Sequence, residues 1–121
     1  MDYSQISLRM KNKMEHLDNL NLLEKKERLC LLYDLYKELF TAKQQSYFES
    51  YFFLDLSLQE IATNANVSRN AVFTALKAIQ EDLIDYENKL QLLDKKEMIT
   101  EIIEDNKKTK EEKLEEIRNI L

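Results

Sequence analysis

No glycine and no proline occur among the 121 residues, and that pair of absences excludes more than any motif does. Tight hairpins need residues that accept positive φ or a proline-fixed turn, so an antiparallel sheet is disfavoured. Phosphate-cradling loops and dinucleotide fingerprints need glycines where the backbone approaches the phosphate, and none can be built here. A single cysteine, Cys30, and a single histidine, His16, leave no thiolate or imidazole zinc cluster and no intramolecular disulfide. Cys30 stands in the run Leu29-Cys30-Leu31-Leu32 and reads as a packed thiol, and His16, between Glu15 and Leu17, as a solvated side chain. Lys and Glu interrupt every apolar run well short of the ~20 residues a bilayer span requires. The expected compartment is therefore the cytoplasm. No nucleophile–base pair stands out, so neither an enzyme nor a bound cofactor or metal is expected.

What is present is charge and helical periodicity. Residues 1–40 carry seven basic and seven acidic groups, residues 41–80 three of each, and residues 81–121 eight basic against thirteen acidic. The net charge of −5 thus lies in the C-terminal third. A neutral central segment has little of the phosphate neutralisation that drives non-specific nucleic-acid binding, so a monomer is not expected to bind tightly.

The pattern predicts an all-α chain in three parts: a loosely structured extension over 1–23, a folded domain over 24–95 and a helical tail over 96–121. In the extension, Met10, Met14, Leu17 and Leu20 share a weak stripe among asparagines. From about Glu24, Leu29, Leu32, Tyr33, Tyr36, Leu39 and Phe40 follow helical spacing, and Cys30, Leu31 and Leu35 widen the stripe. Such a helix is central to a core or part of a subunit interface. Thr41 with Gln44 has the form of a capping box that opens a helix over about 42–54. Its aromatics include Phe48, Tyr51 and Phe52 on one face, which read as core rather than as a base-stacking platform.

Ser57 and Glu60 form a second capping box, placing a short helix at Leu58 with Ile61, Ala62 and Ala65 on its apolar face. A tight turn follows, and its positive-φ residue is assigned to Asn66, because asparagine is the next most tolerant residue after glycine. Ser68 caps a longer helix whose core face is Val72, Ala75, Leu76 and Ile79. This order is a helix-turn-helix. Leu76, Ile79, Leu83, Tyr86, Leu90 and Leu93 continue it as a heptad seam with no obvious stop before Leu93. The seam either folds back on the first helix or pairs two chains as a homodimer. Ile99, Ile102 and Ile103 begin a fresh stripe, Asp105 to Lys113 reads as a polar joint, and Leu114, Ile117, Ile120 and Leu121 mark a last amphipathic helix.

In a helix-turn-helix the second helix enters the major groove, and its N-terminal residues meet base edges. Subtracting the core face leaves Arg69, Asn70, Phe73, Thr74 and Lys77 outward. Arg69 suits guanine, Asn70 adenine, and Phe73 or Thr74 a thymine methyl. Ser68, Lys77 and Lys43 are candidate phosphate contacts, with Gln44, Gln45 and Gln59 as neutral ones. Phe73 is the unusual member, and it admits a second use of the face on protein or on an unstacked RNA base.

The run Thr-Ala-Lys-Gln-Gln from Thr41, the aromatic segment Tyr47-Phe48 to Asp55, Leu56-Ser57-Leu58-Gln59-Glu60-Ile61-Ala62 and Val67-Ser68-Arg69-Asn70-Ala71-Val72-Phe73 together resemble the YlxM family over about residues 24–95. These are small bacterial helix-turn-helix proteins similar to region 4 of sigma factors. The resemblance implies an all-α domain with a sigma-region-4-like helix-turn-helix and a long C-terminal helical extension. It also implies dimers, nucleic-acid binding or regulation, and an association with the signal recognition particle pathway; the second use of the Phe73 face is then an accessory role that meets the particle's RNA or its GTPase. Arg69, Asn70, Phe73 and Thr74 fall on that family's recognition-helix surface, where glutamine is common at the place of Asn70 and tyrosine at that of Phe73.

Overall fold

The computed structural model describes residues 21–121, and the stripe anticipated over Met10 to Leu20 lies outside the described residues, as does His16. Among the described residues the chain forms six α-helices and no strand. They are α1 (Leu22–Tyr36), α2 (Ala42–Phe52), α3 (Leu58–Ala65), α4 (Arg69–Leu90), α5 (Leu92–Glu104) and α6 (Lys110–Ile120), with a 3-10 turn at Lys37–Leu39 after α1.

Side-chain caps explain most of the helix starts. Asn21 accepts from the Glu24 N–H at 2.9 Å, so α1 begins at Leu22, two residues before the spacing places it. Thr41–Gln44 and Ser57–Glu60 both close as full capping boxes. α1 tightens into the 3-10 turn after Tyr36, and the extra rotation leaves Leu39 exposed while Phe40 returns to the core. α2 stops at Phe52 rather than 54, because the chain turns through Asp55 at φ 59°. Asp55 holds this left-handed backbone with its carboxylate exposed, 3.7 Å from the Lys26 ammonium.

α4 is the axis of the fold, packed by α1, α2 and α3. The main core joins Leu29, Leu32, Tyr33 and Tyr36 of α1 to Phe48 of α2, Ala62 of α3, and Val72, Leu76, Ile79 and Leu83 of α4. Tyr33 stacks on Phe48 with centroids 4.1 Å apart. The aromatic helix is therefore core at Tyr47 and Phe48, with Tyr51 and Phe52 half-buried at its edge. On α3, Ile61 and Ala62 are buried but Ala65 is exposed. Ala62 is fully enclosed, as close crossing of α3 and α4 requires.

The heptad seam divides in two. Leu76, Ile79 and Leu83 are buried against α1, and Tyr86 lies between Tyr36 and Phe40 at centroid distances of 5.9 and 5.7 Å. The helix then ends at Gln91, which is left-handed at φ 57°, so Leu90 is exposed and Leu93 rejoins the core from a new helix. Leu29, Leu32, Tyr33 and Tyr36 of α1 and Leu76, Ile79 and Leu83 of α4 share one buried core, while Leu31 of α1 stays half exposed.

Gln91 provides no side-chain cap for α5. Glu87, itself buried, does so from the preceding turn: its Oε1 accepts from Leu93 N–H at 3.1 Å and its Oε2 from Asp94 N–H at 3.0 Å. The Tyr36 hydroxyl donates to Glu87 at 2.5 Å and accepts from Leu92 N–H at 3.1 Å. Carboxylate oxygens at a helix N-terminus are favoured by both the orphan N–H groups and the dipole. Burial, then this hydrogen bond, raises the Tyr36 phenol above its ordinary value.

α5 also reaches α1 through the Arg28–Glu97 ion pair. A smaller core of Met98 and Ile120 joins α5 to α6. The joint is shorter than the polarity suggests: Thr109 caps at Glu112 N–H, so α6 starts at Lys110. Lys108 is not plain solvated surface, since it pairs with Glu116 at 2.5 Å, and Lys113 donates to Ile103 O at 2.7 Å. Leu114, expected on the apolar stripe, is exposed, because the stripe's burial is concentrated at Ile120.

Candidate nucleic-acid interface

The residues from Ser57 to Lys77 form one continuous helix-turn-helix. The turn is closed by the backbone: Val67 N–H reaches Ala62 O at 3.0 Å and Asn66 N–H reaches Thr63 O at 3.3 Å. Those two bonds with a left-handed residue between them make a Schellman motif. Asn66 holds φ 56° and ψ 48°, as its assignment to the turn requires, and Val67 packs back on the core. The next residue, Ser68, is extended, and its Oγ accepts from Ala71 N–H at 3.0 Å. Its oxygen is thus engaged in capping, with the hydroxyl proton left for a phosphate.

From that cap, α4 turns Val72, Leu76 and Ile79 inward and leaves Arg69, Asn70, Phe73, Thr74 and Lys77 exposed. The five lie within the first nine residues of one helix. Phe73 keeps 51% of its surface open, an apolar ring in a polar row. Two cations, Arg69 and Lys77, mark the two ends of the row about 12 Å apart along the axis.

Other sequence-named residues are placed differently. Lys43 lies on a different helix from the row, in the first turn of α2, exposed and with its ammonium 5.7 Å from the centre of the Tyr47 ring. Gln44 and Gln45 are taken up by local structure. Gln44 Oε1 accepts from Thr41 N–H at 2.8 Å, and Gln45 Nε2 donates to Lys37 O at 2.8 Å. Gln59 remains exposed on α3, donating to Thr63 Oγ1 at 3.2 Å. Thr63 and Asn64, exposed at the end of α3, were passed over by the sequence reading. They stand three and two residues before the left-handed Asn66, which is a weak signal.

Away from the row, an apolar groove of about 610 Å³ runs between α1 and the end of α2, lined by Leu23, Cys30, Leu31, Phe52 and Phe53. Burial pushes the Cys30 thiol up. No helix among the described residues is long and apolar enough to cross a membrane, and no group of three or more His, Cys, Asp or Glu among them is arranged to hold a metal ion.

Residues 23–120 match the family model described as "Putative helix-turn-helix protein, YlxM / p13 like". The match runs through α5 and α6, well beyond the 24–95 carried by the motifs, and leaves residues 1–22 outside it. A UPF0122 protein of Mycoplasma capricolum is 45% identical over 83 residues, 69% of this chain and 74% of that one. One from Listeria innocua is 46% identical over 74 residues, 61% of this chain and 67% of that one. A Bacillus thuringiensis protein is 47% identical over 74 residues, with the same shares.

Proposed function

The chain belongs to the UPF0122 family of YlxM/p13-like helix-turn-helix proteins, and on that premise we propose that it is a non-enzymatic regulator that lays α4 in a DNA major groove. The observation that carries this reading is the exposed row Arg69, Asn70, Phe73, Thr74 and Lys77, held at the start of a helix by a closed turn. Arg69 forks to a guanine edge, Asn70 to an adenine, and Lys77 and Ser68 set the register on phosphates. The docking unit is residues 24–95, with 96–121 as a helical tail, and the site of action is the cytoplasm.

Only two cations stand in the row, so affinity from counterion release is small and base contacts carry more of it. Two half-sites engaged by a homodimer would compensate, spaced about 34 Å apart. The seam residues of α4 are buried against α1, so such a dimer uses apolar surface left open, such as the α1–α2 groove that holds Cys30 and Leu31 of the α1 stripe.

Selection from a random duplex library, run with the particle RNA as competitor, tests the reading. Arg69→Ala is expected to relax preference at one base pair. Lys77→Ala is expected to weaken binding to every sequence alike and to reduce the salt slope by about 0.9. Equal affinity for all duplexes at several salt concentrations removes the reading.

The exposure of Phe73 favours one second reading: an accessory of the signal recognition particle that meets its RNA or its GTPase through this face. The buried state of Tyr47 and Phe48 takes those two aromatics of α2 out of that role, while Tyr51, Phe52 and Phe53 keep part of their surface open. Failure to recover either particle component on the immobilised protein ends it.

A further inference from the structure

We propose that Phe73 is a specificity-determining residue that reads the C5-methyl group of a thymine one or two base pairs from the base read by Arg69; this rests on the major-groove reading above. Phe73 is half exposed on a helix whose inward positions are filled by Val72, Leu76 and Ile79. Its ring is not among the residues that make up the main core. What sets it apart from other exposed apolar side chains, such as Phe53, is its place on the base-facing side of α4 between Arg69 and Lys77, where an apolar ring suits an apolar group of the groove.

The chemistry of the surface narrows that partner. In the major groove the donors and acceptors of all four base pairs are polar, and the thymine methyl is the one apolar group. The neighbours of Phe73 are residues suited to base edges: Arg69 four positions earlier, Asn70 three earlier and Thr74 beside it. Four residues of helix advance about 6 Å and return within about 40° of the same face. Base pairs are stacked about 3.4 Å apart along the duplex. A helix lying along the groove therefore brings the Phe73 ring over a base pair one or two steps from that of Arg69. Thr74, whose methyl has the same affinity for thymine, is one position further around the helix and meets the opposite side of the groove floor.

Substituting uracil for thymine deletes this methyl and leaves every hydrogen-bonding group of the base in place. The loss expected for one methyl-sized group taken from the contact is about four-fold in affinity. The preferred duplex from the selection is remade with each thymine changed singly to uracil, and binding of the intact protein is measured at one salt concentration. One position, within two base pairs of the one where Arg69→Ala relaxes preference, is expected to lose about four-fold. Phe73→Ala is expected to bind the thymine and uracil duplexes alike, while Phe73→Leu keeps part of the ratio. Phe73 is exposed, so unchanged melting of both variants is expected.

If every uracil duplex binds as its thymine parent, the methyl contact is refuted while the groove reading stands. If Phe73→Ala keeps the four-fold ratio, Phe73 is not the reader. If Phe73→Ala weakens binding but thymine and uracil are equivalent for the native protein, the ring stacks on an unstacked base instead, and the proposal falls. If no duplex is preferred over another, the groove reading and this inference fall together.

Discussion

Replacing Glu87 with alanine removes, from one buried point, the acceptor of three hydrogen bonds: Tyr36 O–H at 2.5 Å, Leu93 N–H at 3.1 Å and Asp94 N–H at 3.0 Å. Each hydrogen bond to a charged group contributes about 1.5–3 kcal/mol, and a donor left buried without a partner costs its desolvation. The three share one side chain, so they do not simply add. Taking the low end of each gives about 4 kcal/mol, a large part of the ~5–15 kcal/mol by which a domain is stable. With a urea slope of about 2 kcal/mol per molar, the unfolding midpoint falls by about 2 M. Glu87→Gln keeps the shape but turns an NH2 toward one of the two backbone N–H groups, and is expected to cost about half as much. Tyr36→Phe leaves the two cap bonds to Glu87 but loses the bond to the carboxylate and the acceptor of Leu92 N–H, and should cost about 2–3 kcal/mol. The assay is urea unfolding followed by far-ultraviolet circular dichroism, with the slope compared between variants. A midpoint shift below about 0.5 M for Glu87→Ala, at unchanged slope, would refute the claim that this carboxylate caps α5 and joins it to α1.

The remaining predictions concern the turn and the buried phenols. Asn66 holds φ 56°, so Asn66→Gly should be neutral or stabilising by less than about 1 kcal/mol, while Asn66→Val should cost about 1–2 kcal/mol. Equal melting temperatures for the two variants would contradict the left-handed turn. Burial first, and the Glu49 carboxylate second, push the Tyr33 phenol up to about 12. The folded chain thus keeps a proton that the unfolded chain releases from about pH 10. Stability from this source is full below about pH 10 and is lost as pH rises through about 12. Tyr36 adds to the loss in the same direction, its phenol being raised as well. Denaturation midpoints measured from pH 8 to 12 should be level and then fall, and a level profile throughout would overturn the assignment.

Local rules made much of this chain legible. Capping chemistry is a matter of three or four consecutive residues, which is why Thr41, Ser57 and Ser68 open helices where their spacing says they should. The left-handed turn at Asn66 was readable for the same reason: with glycine absent, few residues tolerate that backbone. The outward row of α4 followed by subtraction once the inward positions were known, and all five of its residues are exposed. Lys43 was named by charge alone, and it too is exposed, on α2 rather than on α4.

Fold class, the helix-turn-helix and its exposed face were therefore determined by sequence, because periodicity and caps act within a few residues of one another. Tertiary structure alone decided what the apolar stripes meet. An apolar stripe carries no address, and α1 and α4 satisfy each other within one chain, whereas a sequence pattern is equally consistent with a second chain. Packing likewise decided the break at Gln91, which no local signal marks. A left-handed glutamine is tolerated there because Glu87 and Tyr36, 51 positions apart, converge to satisfy the N–H groups that the break exposes.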